Sequence, residues 1–455
     1  MEHLQDIPPQ SDRDWQTLDR QSRSGDAENF LLLCPTHRDD RELSRLARSG
    51  ANYVRHDYAS LALEELTVAG SMMRVKIPDP IEEIERILAS ITNGAITGVV
   101  STDDYPGSTL ATVVAKNLNL PGAEPAVNLI CQHKYLSRLA QQALVPEAVP
   151  EFVLLDVDAV ASLPQTMPLP VFIKPVKSFF SVGAQPIASI EQLTAVQSRW
   201  RCLDQFFTPF ERLLGRYTGL HLERRYLLAE TWLVGKQCTL EGYAFGEEIH
   251  ILGAVDSVMF PNTIAFQRFE YPSRLPIPVQ DRMCAIARTL MAGLGYRNAM
   301  FNIEFIYQPE IDLLSIVEIN PRMASQFADL YEKVDGLNSY SVLLDLAKGQ
   351  KPCLARRAGY HPFAASCVLR SFRDMYVERV PSCADLEGLS LRHPDIRVEV
   401  LAAEGRKLSD EMQDGHSFRY GIVSLGGRDR QDVVEKFEEC RHQLRFAFRP
   451  VSANE

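Results

Sequence analysis

Two apolar runs, residues 301–307 (FNIEFIY) and 313–320 (LLSIVEIN), flank the tetrapeptide PEID at 309–312. β-Branched and aromatic residues on both sides of a short polar segment containing proline are the pattern of two strands joined by a turn. If the runs pair antiparallel with Gln308 opposite Leu314, Glu304 lies opposite Glu318 and Asn302 opposite Asn320. All four point to one face, because strand side chains alternate. The register is demanding, since a slip of one residue turns a strand over. It also raises a problem of charge: carboxylates facing each other across a ladder have Cβ atoms roughly 5 Å apart and repel. A cation between them is expected. Hard oxygen ligands in such a pair suit Mg²⁺, which takes one or two protein carboxylates, keeps water and completes its shell with substrate phosphates. Asn320 adds a neutral oxygen, and Arg322, two residues on, can hold a phosphate or a carboxylate through paired N–H donors. The competing arrangement is an exposed hairpin whose acids face water or lean on a lysine. Asn320 and Arg322 on the same side weigh toward the ligand site.

The rest of the chain supplies the setting. Its 455 residues, 45% hydrophobic, suffice for two to four domains with a substantial core. A net charge of −11 without a basic stripe argues against a nucleic-acid partner and leaves small anionic ligands open. The nine cysteines are scattered with no CxxC pair, so they read as reduced, packed thiols, and no zinc site is expected. The first residues are polar and mixed in charge with no apolar signal region, and no segment approaches about eighteen uninterrupted apolar residues. A cytoplasmic protein without a membrane span follows as the expectation, with residues 1–28 as a flexible arm free to cover the site or to make a homodimer contact.

From residue 29 to 130, apolar runs (FLLLCP, ITGVVSTDD) alternate with helical patterns (DDRELSRLARSG, PIEEIERILASI, STLATVVAKNLNLPG), which predicts an open parallel α/β domain. Asp103 and Asp104 fall where such sheets present ligands, outside the carboxyl end of a strand, or form an ordinary solvated turn. A second unit spans 131–228 and a third 229–355, which contains the hairpin. Residues 356–455 read as strands followed by one helix, a small α+β extension.

Within the second unit, Lys174 ends the β-rich VFIKP just before the small, polar stretch KSFFSVGA, 177–184. Small residues let backbone N–H groups approach phosphate oxygens, and a lysine supplies a point charge. The P-loop pattern GxxxxGK[ST] is absent. Taken singly, Lys174 and the helix-start Lys134 are as compatible with surface lysines whose stems lie along apolar surface.

In order and kind, HKYLSRLA with Lys134, VFIKP with its loop, LLAETWLVG, and IEF with VEINPR resemble the ATP-grasp superfamily over roughly residues 30–350, and within it the carboxylate-amine ligases that join amino acids. The resemblance implies an ATP-grasp fold of mixed α/β and α+β character: an N-terminal open parallel domain, a mobile lid, a central antiparallel-sheet domain and the C-terminal extension. It implies ATP and Mg²⁺, with Mn²⁺ as the substitute ion. Lys134 and Lys174 would contact the phosphates, with Lys174 and Arg322 also catalytic. The loop with Ser178, Ser181 and Gly183 would close over them. Glu230, Thr231, Trp232 and Leu233 would meet the adenine, and Gln237 stands where many relatives carry a ribose-binding glutamate. Glu304, Glu318 and Asn320 would hold the metal. Phe179 and Phe180 replace small polar residues in the loop. The implied activity is ADP-forming: a small carboxylate, probably an amino acid, becomes an acyl phosphate and is joined to an amine, giving an amide or dipeptide. A non-catalytic ATP-binding regulatory protein, or an enzyme of carboxylase or purine-pathway type, is the alternative. The pocket wall for the second ligand is expected within 258–276 and 323–326, with Arg274, Ser325 and Gln326 as candidates, Arg370 or Arg419 beyond them, and Phe260, Phe266 and Phe269 either lining an apolar pocket or packing the core.

Overall fold

The alternation of apolar runs and amphipathic helices at the start of the chain produces the expected parallel sheet, in the strand order Ala51–His56, Glu28–Leu33, Gly98–Val100. The computed structural model describes residues 28–46, 51–57, 79–91, 96–157, 163, 167–178, 183–201, 204–221, 226–410 and 417–451. The expected N-terminal arm lies almost wholly outside the described residues. Of the three strands, Ala51–His56 carried no clear apolar run, and its side chains are only partly covered. Helices Pro80–Ser90 and Gly107–Asn117 flank this sheet, the first capped by Asp79, whose carboxylate accepts the Ile81 N–H at 3.0 Å.

A four-stranded antiparallel sheet follows, ordered Phe152–Asp156, Tyr226–Thr231, Val171–Pro175, Gln185–Ile187, and its strand Tyr226–Thr231 runs across the boundary expected between residues 228 and 229. Helices Ile190–Arg201 and Asp204–Thr218 accompany it, and helix Lys134–Leu144 leads into it from the N-terminal domain.

The hairpin occupies one end of an eight-stranded antiparallel sheet: Leu313–Asn320, Ala299–Gln308, Lys236–Phe245, Glu248–Met259, Phe266–Tyr271, Phe363–Ser371, Phe418–Gly427, Arg397–Val400. The C-terminal extension therefore differs from the expected appendage. Phe363–Ser371, Phe418–Gly427 and Arg397–Val400 lengthen the central sheet, Met375–Arg379 and Ala447–Pro450 pair in a two-stranded sheet of their own, and among the described residues the extension carries two α-helices, Cys383–Arg392 and Arg430–Gln443, where one was expected. Helix Ile277–Gly293 presents Val279, Met283, Ala287 and Leu290 at helical spacing to Ile303 and Phe305 of the sheet. A second core brings Tyr331 and Tyr340, from the helices Ala328–Asp335 and Ser339–Ala347, together with Phe30 and Val100 of the N-terminal sheet. Among the described residues no helix is long and apolar enough to cross a membrane, and no two of the eight described cysteines are bonded to each other.

The fully buried Leu290 sits at the centre of the first core. Leu290→Ala is expected to destabilise the protein by about 3 kcal/mol, within the range of large-to-small core substitutions, measured as a lowered urea midpoint.

Candidate active site

The hairpin pairs as its alternation demands at the end that carries the polar residues. Glu304 stands opposite Glu318, Ile303 opposite Ile319, and Asn302 opposite Asn320. Toward the turn the register differs from expectation, with Gln308 opposite Leu313, because a bulge between Glu304 and Phe305 on one side and Ile316 and Glu318 on the other leaves Val317 without a partner. The freed Val317 carbonyl accepts Arg138 Nη2 at 2.8 Å and Lys174 Nζ at 3.3 Å.

These two cations share one acid. Phe172 pairs with Glu230 and Lys174 with Leu228 on adjacent lid strands, so period two sets Lys174 and Glu230 on one face. Glu230 Oε2 lies 2.6 Å from Lys174 Nζ, and its Oε1 accepts Arg138 Nε at 2.5 Å. All three residues are buried. Burial alone would push the Glu230 carboxyl up, but Arg138 and Lys174 outweigh it and hold the acid below its ordinary range. Burial lowers the Lys174 ammonium despite the pull of Glu230. Arg138 went unmarked in the sequence, although it stands four residues after Lys134 and so on the same helix face.

Lys134 opens helix Lys134–Leu144. His133 caps that helix by accepting the Leu136 N–H on Nδ1 at 3.2 Å. Lys134 Nζ is 3.5 Å from Glu318 Oε2 and 3.4 Å from the Ser178 carbonyl. Asp103 and Asp104 take different roles. Asp103 accepts the Gly107 N–H at 2.7 Å, which fixes a helix start. Asp104 lines the cleft, with Arg322 Nε 3.8 Å from Oδ1. Burial pushes Asp104 up, and Lys177, Arg322 and Lys134 together pull it below its usual range. The loop residues 179–182, with Phe179, Phe180 and Ser181, lie outside the described residues. Gly183 adopts φ 75°, in the left-handed region that glycine alone enters freely.

One cavity of about 870 Å³ collects these groups. Lys134, Lys174, Ser178, Glu230, Thr231, Trp232, Leu233, Gln237, Glu304, Glu318, Asn320, Arg322 and Arg274 all line it, and so do Arg138, Lys177 and Asp104. Gln237 donates its amide N–H to Glu304 Oε2 at 2.8 Å. Arg274 approaches buried Glu270 at 3.6 Å. Ser325 and Gln326 do not line this cavity: Ser325 accepts Arg38 Nη1 at 3.0 Å, and Gln326 donates to Ser366 at 2.9 Å. The chain leaves the cleft at Met323, which is fully buried, and Glu241 holds the departing turn by accepting the Ala324 N–H at 2.6 Å. Of the phenylalanines, Phe266 reaches the cavity, Phe269 packs on Phe327, and Phe260 packs edge-on to Phe372. Arg370 and Arg419 pair across two C-terminal strands, away from it.

No protein-family model and no curated protein matches the sequence. Solved structures do match. An L-amino acid ligase from Bacillus licheniformis superposes with a TM-score of 0.67 at 15% identity, covering 93% of this chain and 99% of that one. A phosphoribosylglycinamide synthetase from Anaerococcus prevotii gives 0.61 at 11% identity over 93% and 100%. The biotin carboxylase domain of a Hydrogenobacter thermophilus 2-oxoglutarate carboxylase, solved with MgADP and bicarbonate, gives 0.64 at 13% identity over 92% and 90%. The chain has the ATP-grasp fold. At these identities the likeness speaks for architecture, and the chemistry rests on the side chains.

In this ATP-grasp cleft the acid pair fits a divalent cation. Burial, reinforced by the facing Glu318, pushes the Glu304 carboxyl up to about 7, the mark of two acids lacking sufficient positive charge between them. Asn320 spends its amide nitrogen on Asn302 Oδ1 at 2.9 Å and Glu304 Oε1 at 3.3 Å. Among the described residues no cluster of three His, Cys, Asp or Glu forms a metal cage. A cation must displace the proton of Glu304 below its pKa. Apparent Mg²⁺ or Mn²⁺ affinity by calorimetry is therefore expected to rise by up to about tenfold per pH unit below about 7 and to level off above it, and Glu304→Gln should abolish that pH dependence.

Proposed function

We propose that the protein is an ADP-forming ligase that activates a small carboxylate, an amino acid, as its acyl phosphate and joins it to an amine. The observation that carries this reading is the convergence of the Glu304–Glu318 pair, Lys134, Lys174 and Arg322 on one cavity. A binding-only protein has little need of both facing acids.

In this reading the adenine lies along 230–233, bounded by Trp232 and Leu233, and the triphosphate runs toward Lys134 and Lys174 beneath the loop that begins at Ser178. Gln237 orients Glu304 and keeps its amide oxygen for a ribose hydroxyl. Glu304, Glu318 and Asn320 would hold Mg²⁺ or Mn²⁺, which would supply charge neutralisation to the phosphates. The substrate carboxylate attacks the γ-phosphorus, the bond to the ADP oxygen breaks, and Lys174 and Arg322 stabilise the charge that develops on the transferring group. Amine attack on the acyl phosphate then releases phosphate. The lid must exclude water during this interval, because the intermediate would otherwise hydrolyse. Arg274 is assigned to an anionic group of the second ligand. Ser325 and Gln326 receive no role, since both are engaged away from the cavity.

Purified protein given ATP, Mg²⁺ and mixed amino acids is expected to release ADP and phosphate with an amide product. ADP release that depends on bicarbonate instead would favour a carboxylase-type reaction, and no release with any carboxylate and amine would favour a regulatory ATP-binding role. Glu318→Ala should abolish turnover with the melting profile retained. Arg322→Ala should lower kcat by about 3 kcal/mol of transition-state stabilisation, the scale of losing a preorganised charge-stabilising donor; activity near that of the unmodified protein would move the arginine to a structural role.

A further inference from the structure

An amine substrate enters near neutral pH as an ammonium, and a nitrogen without a lone pair cannot attack a carbonyl. The reaction above therefore needs a proton acceptor in the cleft. Lys134 and Lys174 are ion-paired, with Glu318 and Glu230 respectively. Asp104 is held ionised by three surrounding cations and is correspondingly a weak base.

Lys177 is built differently. It is 2% exposed, yet it lines the cavity three residues after Lys174. Its Nζ donates to the neutral amide oxygen of Gln132 at 2.7 Å, and it lies 4.9 Å from the ring centre of Tyr105 and 5.4 Å from that of Phe210. Partners of this kind tolerate both protonation states: the rings favour the cation, and among the described residues no carboxylate is hydrogen-bonded to it. The charged groups facing it are Asp103 and Asp104 from the loop after strand Gly98–Val100, Lys134 from the head of the linker helix, and Glu318 from the hairpin. Burial brings the ammonium down to about 8, with Asp104 pulling the other way. His133, close by, is kept neutral by burial at about 3 and cannot supply a charge.

We propose that Lys177 is the catalytic base of the amide-forming step, taking a proton from the attacking ammonium; the inference rests on the ligase reading. One proton passes from the substrate nitrogen to Lys177 Nζ, and the freed lone pair forms the C–N bond. The second leaves the nitrogen as the C–O bond to phosphate breaks, and departs with hydrogen phosphate. Lys177 returns its proton to solvent when the products leave.

Hydroxylamine separates this step from the one before it, because it is already neutral near pH 7 and traps an acyl phosphate as the hydroxamate without a base. Amide and hydroxamate yields are compared in the unmodified protein, in Lys177→Met and in Lys177→Arg, the last keeping a permanent cation in the cage. In both variants amide formation should fall about 100-fold, in line with the loss of a positioned base, and the hydroxamate-to-amide ratio should rise by a similar factor. The unmodified protein should show amide formation rising with pH and levelling off above about 8, whereas both variants, left with the free amine alone, should keep rising toward the amine's own pKa. Equal loss of hydroxamate and amide would overturn the proposal in favour of a role in phosphoryl transfer, as would amide formation within about threefold of the unmodified rate in either variant. Failure of the unmodified protein to form hydroxamate with any carboxylate would overturn the ligase reading itself.

Discussion

Glu230 is a single carboxylate at which three parts of this chain meet. It comes from the lid sheet, and it neutralises Lys174 from the neighbouring lid strand and Arg138 from the linker helix. Both cations also reach the Val317 carbonyl of the central hairpin. Removing an ion of this size from water costs several kcal/mol even after relaxation, so the arrangement holds only while all the partners are in place. The four-stranded sheet, the helix Lys134–Leu144 and the hairpin are thus joined by charge in this arrangement, over and above the apolar contacts each makes.

Legibility in the sequence followed the range of the interaction. The facing acids could be read because a turn signal and a strict alternation fix their pairing within twenty residues. The bulge could not, since Val317 is an ordinary β-branched residue in an apolar run and nothing local marks it as surplus. Lys134 stood out at a helix start, while Arg138 in the same quoted segment looked like any surface position, and only contact with Glu230, some ninety residues away, gives it meaning. Lys177 was visible as part of a loop, but its aromatic cage is assembled from Tyr105 and Phe210 of two other regions. The C-terminal strands were recognised as strands. That they extend the central sheet depends on pairing between Phe363–Ser371 and Phe266–Tyr271, which leaves no trace in either segment alone.

The charge distribution also runs against the bulk composition. A chain with net charge −11 places Lys134, Lys174, Lys177, Arg138 and Arg322 around one cavity. Asp104, Glu230, Asp256, Glu304 and Glu318 line the same cavity, so these cations stand among acids, and Glu230 neutralises two of them.

The surplus residue at Val317 has a consequence for how the hairpin tolerates change. Below the bulge the ladder runs from the turn; above it Ile303 faces Ile319, and Asn320 donates to Asn302 across the strands. The bulge decouples the two like a slip joint in a rigid pipe. A turn that gains or loses a residue can be absorbed there by making or erasing one unpaired position, while the acids keep facing each other. Variation in the exposed tip around Pro309–Asp312 is in this way mechanically insulated from the chemistry a few residues away.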